Sequence, residues 1–163
     1  MFSSQTFKYK STTVAKYLLF RAFEDRIVIN MTKLQKLLYI AYGTYLAITD
    51  ERLTNESPRA WPYGPVFPTV RNKLLKIDFD DYDFLAERDS ECKSILADDE
   101  MKSLMIMVLH RFGMMSAGQL IEWTHIADSA WDRTQRAPGF KWNDIIPDVY
   151  IKDYFKNIIV AKK

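Results

Sequence analysis

Two histidines, His110 and His125, are the only imidazoles in the chain, and they set the range of acid–base chemistry open to it. His125 stands in Trp123-Thr124-His125, with Asp128 and Asp132 close behind. A histidine with a carboxylate to orient it can act as a general base. No nucleophile falls into place beside it, and a triad is defined by geometry rather than by nearness in sequence. The residues therefore favour a buried, hydrogen-bonded His125 that holds a helix end. His110 borders an apolar helical stripe and reads as a surface or half-buried structural residue. Cys92 lies between Glu91 and Lys93, in acidic surroundings that keep a thiol protonated. Asp98, Asp99 and Glu100 could bind a cation, but they suit the first turn of a helix, where the macrodipole favours carboxylates. No glycine-rich phosphate loop, GxSxG elbow, HExxH or paired CxxC is present. No catalytic residue, metal site or cofactor is therefore predicted.

The most distinctive string is Arg59-Ala-Trp-Pro-Tyr-Gly-Pro-Val-Phe-Pro, residues 59–68. Pro62, Gly64 and Pro65 restrict the backbone around Trp61 and Tyr63. A loop so restricted presents its aromatic rings to a partner at little entropic cost. The same rings could instead plug the core. The residues leave both roles open.

These side chains must be positioned by a body of 163 residues, 48% hydrophobic and 14% aromatic. That is one domain's worth of chain with a sizeable core. The longest apolar runs are six residues, far short of the ~20 needed for a membrane span. Residues 1–10 contain no apolar stretch of the kind a secretory signal needs, and a lone cysteine forms no internal disulfide. The net charge of +2 makes no strong case for nucleic acid. It conceals an acidic stretch, Asp78 to Glu100, of net −8, which leaves +10 on the remainder. Such a stretch reads as a solvated loop, or as an acidic face that steers a basic partner. Phe79, Tyr82, Phe84 and Leu85 are candidate pins holding it to the body.

Scarce Gly and Pro leave long uninterrupted segments, which favours helices. Periodicity predicts helices at about 12–24, 32–49, 68–75, 98–112, 116–124, 131–136 and 148–158. Thr32 with Gln35, and Ser116 with Gln119, form capping-box patterns. Leu34, Leu37, Leu38, Ala41 and Tyr45 form one apolar stripe, and Gly43 within that helix implies close approach of another element. Ile106 and Met107 widen the stripe of the helix at about 98–112 towards full burial. The expected fold is mainly α, a compact domain of six to seven helices, with a short β-hairpin around residues 52–63.

Three blocks then carry a resemblance. The first is Met31-Thr-Lys-Leu-Gln-Lys-Leu-Leu-Tyr-Ile-Ala-Tyr-Gly-Thr-Tyr-Leu-Ala, residues 31–47. The second is Ala60-Trp-Pro-Tyr-Gly-Pro-Val-Phe-Pro, residues 60–68. The third is Leu120, Thr124, His125 and Trp131. In this order they resemble the SocA-like Panacea domain, the antitoxin domain of bacterial and phage toxin–antitoxin pairs. The likeness spans residues 12–135 of a single domain over 1–163. It lapses in the acidic segment 78–98, which resembles a variable insertion, and in a C-terminal helical extension, 140–163. Two departures are local: Ala130 stands before Trp131 where the family often has proline, and Arg71 follows Val70 where it often has tyrosine.

The resemblance implies a non-enzymatic, cytoplasmic protein that neutralises a cognate protein toxin by direct binding. Some members hand the toxin to a bacterial protease. Many carry a further domain, for which this chain has little room, so autoregulation through DNA is not expected. Partner contacts are expected at Gln35, Lys36, Trp61, Tyr63, Arg71, Thr124, His125 and Trp131, with Leu37, Leu38 and Gly43 holding the scaffold. Two alternatives stand beside this reading. One is a phage or mobile-element protein of the same fold that inhibits a host defence protein. The other is a small enzyme centred on His125.

Overall fold

The computed structural model describes residues 6–79 and 90–160. Its described elements run β1(Phe7–Tyr9), α1(Ser11–Glu24), α2(Met31–Thr49), β2(Arg52–Thr54), β3(Arg59–Trp61), β4(Gly64–Val66), α3(Pro68–Leu74), α4(Ser90–Leu96), α5(Asp99–Phe112), α6(Ala117–Thr124), α7(Ala130–Arg136) and α8(Asp148–Val160). The fold is mainly α, as its periodicity predicts. The helix beyond the expected seven is α4, which lies within the acidic stretch, where like charges mask an apolar face made by buried Cys92 and Ile95. Of the expected pins, Phe79 packs half-buried against the core, while Tyr82, Phe84 and Leu85 lie outside the described residues.

Helix α2 runs through the middle of the molecule. Every residue from Leu34 to Leu46 is buried, so the single apolar stripe expresses only part of its packing. It packs against α1, α5, α6 and α8. A Cβ on Gly43 would lie 2.3 Å from the ring of Phe155, so only glycine admits α8 at this depth. The N-cap of α2 is Asn30, whose side chain accepts from the Lys33 N–H at 2.9 Å. This corrects the capping-box reading of Thr32 and Gln35: Thr32 already lies inside the helix, and the Gln35 side chain is used elsewhere. The capping box of Ser116 and Gln119 forms as predicted at α6. In α5, Met101, Leu104, Met105, Val108, Leu109 and Phe112 are buried, but Ile106 and Met107 remain 43% exposed. The expected widening of that stripe to full burial does not occur.

The strands are short. A hairpin joins β3 and β4, with Arg59 opposite Val66 and Trp61 opposite Gly64. It therefore sits at 59–66 rather than 52–63, because β2 turns away to pair in parallel with β1, Phe7 opposite Arg52. The free edge of β3 is covered by the segment before α8. Ala60 N–H donates to Asp144 O at 2.9 Å and Asn143 N–H to Ala60 O at 2.8 Å. No single helix among the described residues is long and apolar enough to cross a membrane.

Candidate functional site

The hairpin tip is held from below by polar side chains of α2. The Gln35 amide closes a reciprocal pair with the Phe67 backbone, accepting from its N–H at 2.7 Å and donating to its carbonyl at 3.3 Å. Lys36 Nζ donates to Pro65 O at 3.1 Å. Both side chains are only 2% exposed. Between them they satisfy buried loop carbonyl and amide groups that would otherwise be costly. Gly64 makes this contact possible. Its φ is +112°, and a Cβ there would fall 2.7 Å from Thr124 Oγ1 and 2.8 Å from Lys36 Cε.

Two further anchors fix Trp61. Its indole N–H donates to Asn143 Oδ1 at 3.0 Å, and its carbonyl accepts from the Trp131 indole N–H at 2.8 Å. Asn143 adopts φ 81°, a left-handed conformation that asparagine tolerates better than most residues. Arg71 on α3 lies with its guanidinium 5.6 Å from the Trp61 ring centre. The start of α3 is itself clamped: the Glu56 carboxylate accepts from Thr69 and Val70 N–H groups and from the Ser11 hydroxyl. At the apex, Tyr63 is 73% exposed.

His125 caps α6 through its backbone, its N–H donating to the Ile121 and Glu122 carbonyls, as a histidine holding a helix end should. Its ring stacks on Trp131, centres 3.9 Å apart at 16°. The expected side-chain hydrogen bond is absent: Nε2 is buried with no partner among the described residues. Burial lowers the imidazole pKa, and the nearby positive charge of Lys36 lowers it further, against a weaker upward pull from Asp132. Asp128 and Asp132 do not form a dyad with it. They are taken up by Arg136, at 2.9 and 3.0 Å, and Asp132 also accepts the Asp128 N–H.

Between α2 and the hairpin lies an open pocket of about 550 Å³. Its lining includes Met31, Gln35, Lys36, Trp61, Tyr63, Val66, Arg71 and Ile121. Five of the eight predicted contact residues meet here: Gln35, Lys36, Trp61, Tyr63 and Arg71. Thr124 and Trp131 are buried behind the hairpin, at 1% and 8% exposure, and act on it from within. His125 is half-buried beside Trp131. Of the rings in the aromatic string, Trp61 is anchored and half-buried, and Tyr63 is exposed. Asn143 was invisible to motif reading, because it meets Trp61 across 82 positions and no local pattern marks it.

The described residues form a helical domain with a braced aromatic hairpin. Residues 34–132 match the family model described as "Antitoxin SocA-like, Panacea domain". The chain belongs to this family. It is 32% identical over 157 residues to the antitoxin SocA of Caulobacter vibrioides (strain NA1000 / CB15N), with 88% of this chain and 80% of that protein covered. No solved structure matches it.

Proposed function

We propose that this protein is an antitoxin that neutralises a cognate protein toxin in the cytoplasm by direct binding, and that the hairpin tip with its adjoining pocket is the docking face. The observation that carries the reading is the contrast at the tip. Tyr63 is 73% exposed, yet the backbone on either side is fixed by Gln35, Lys36, Trp131 and the Asn143 N–H. An exposed aromatic on a rigid mount binds without an ordering cost, the usual setting of a hot spot. Family membership and the likeness to antitoxin SocA support the same reading.

The test is co-expression with the product of the neighbouring gene. Rescue of growth and co-purification are expected, and both should fail for Tyr63→Ala. Rescue without any co-purifying complex, at an undiminished toxin level, would contradict direct binding. Delivery to a protease is a further step of the same proposal. It requires the steady-state level of the toxin to fall when the two are co-expressed. An unchanged level with full rescue would leave neutralisation by occlusion alone.

A further inference from the structure

The pocket beside the hairpin carries an unbalanced charge. Its lining contains two cations, Lys36 and Arg71, and no carboxylate. Lys36 is 2% exposed, and of its three N–H donors one is used among the described residues, on Pro65 O. The Arg71 guanidinium contacts the Trp61 ring and has no hydrogen-bond or ion-pair partner among the described residues. Outside this lining, His125, whose imidazole pKa Lys36 helps to lower, has a buried Nε2 with no partner among the described residues.

A lone ammonium is an expensive way to brace a loop carbonyl. Burial lowers the Lys36 pKa from its ordinary 10.5 to about 8, which still leaves the amine mostly protonated at neutral pH. An uncompensated buried charge is costly, whereas a neutral amide could donate the same hydrogen bond without that cost. The arrangement makes sense if the missing negative charge arrives with a ligand. The rest of the lining is mostly apolar or aromatic (Met31, Trp61, Pro62, Val66 and Ile121), with neutral Thr32 and Gln35 the polar members and the Gln35 amide already committed to the Phe67 backbone, and the mouth is rimmed by exposed Tyr63.

We propose that this pocket receives an acidic side chain of the bound protein, its carboxylate pairing with Lys36 and Arg71 and the residue beside it lying against Trp61, Val66 and Ile121. The proposal rests on the docking face argued above and names the chemistry it selects. Charge complementarity favours an acid, and the apolar walls with the exposed tyrosine favour a protein segment over a bare anion. Because the cation is already desolvated, the carboxylate gains a charge-assisted hydrogen bond without a second desolvation of the lysine.

The probe is a pair of blocked dipeptides, acetyl-Phe-Glu-amide and acetyl-Phe-Gln-amide, titrated into the isotope-labelled chain and followed by NMR. The glutamate peptide should move the Trp61 indole and Lys36 side-chain signals and bind about tenfold more tightly than the glutamine peptide, as a charge-assisted bond implies. At saturation it should raise the Lys36 pKa towards its ordinary value. Lys36→Met and Arg71→Gln should each remove most of the tenfold preference. If Lys36→Met does not fold, Arg71→Gln and the Lys36 titration of the unaltered chain still decide the matter. Equal binding of the two peptides, binding of neither, or an equal response to sodium acetate overturns the proposal, the last by marking a site for small anions. Growth rescue separates this proposal from the one beneath it. If Lys36→Met keeps full rescue while Tyr63→Ala loses it, the acidic contact falls and the docking face stands. If Tyr63→Ala keeps rescue, the docking face itself falls.

Discussion

Helix α2 meets its neighbours in two different ways. Against α8 the contact is dry and steric: Gly43 lets the Phe155 ring sit almost on the helix backbone, and Tyr39 meets that ring edge-on at 5.5 Å. Against the hairpin the contact is polar and directional, made by the Gln35 amide and the Lys36 amine. Packing holds the helix in place but tolerates small adjustments of angle. Hydrogen bonds to a loop backbone fix its position and orientation, which is what a presented side chain requires. The same helix thus supplies stability through one face and aim through the other.

The comparison can be broken from the packing side first. Phe155→Ala should cost about 4 kcal/mol in denaturant unfolding, the usual loss for a buried phenylalanine. In the surviving folded molecules the Phe67 amide should stay protected from hydrogen exchange, because the polar contact is separate. Equal deprotection of Phe67 would merge the two contacts into one.

From the polar side, Gln35→Leu keeps the bulk but strands the buried Phe67 amide and carbonyl, at about 3 kcal/mol. Here exchange at Phe67 should accelerate far more than exchange in α8. Gly64→Ala should cost about 2 kcal/mol, through the positive φ and the approach of Thr124 and Lys36. A thermally neutral Gly64→Ala would mean that the hairpin is not seated as described.

Lys36 gives the contact a pH signature. Its folded pKa is depressed from 10.5 to about 8, so between these values the unfolded chain binds more protons than the folded one. Stability therefore rises with pH across that window. Below pH 8 the burial penalty is fully present, and above pH 10 the buried Tyr39 and Tyr42, whose pKa values are raised by burial, act in the opposite direction. From pH 7.5 to 10 the wild type should gain about 2 kcal/mol relative to Lys36→Met, measured by denaturant unfolding of both. A constant difference would show that Lys36 is not a buried cation.

Much of the helical body was legible, because its signals are local. The 3.6-residue spacing of α5 and the Ser116–Gln119 box lie within single elements, and each formed where predicted. Gly43 was readable for a similar reason, since a glycine inside a strong helix needs a steric cause. What was hidden depends on distant partners. Gln35 matches a capping box locally, yet its side chain is claimed by Phe67, 32 residues away, while Asn30 takes the cap. Lys36 is expected from the sequence as a partner contact, but its burial beneath the hairpin depends on Gly64, which brings Pro65 down onto it. Helix α4 was obscured by the charge around it. The aromatic string was recognisable as a rigid loop, but only the three-dimensional anchors of Trp61, Asn143 and Trp131, show which ring is fixed and which is exposed.

The smallest expected effect on stability belongs to Tyr63, and it gives the sharpest test. Tyr63→Ala removes a side chain that is 73% exposed, so unfolding should change by less than about 0.5 kcal/mol. Affinity for the co-expressed product of the neighbouring gene should fall by about 2 kcal/mol, roughly thirtyfold. An unchanged affinity with unchanged stability would contradict the hairpin tip as the docking face.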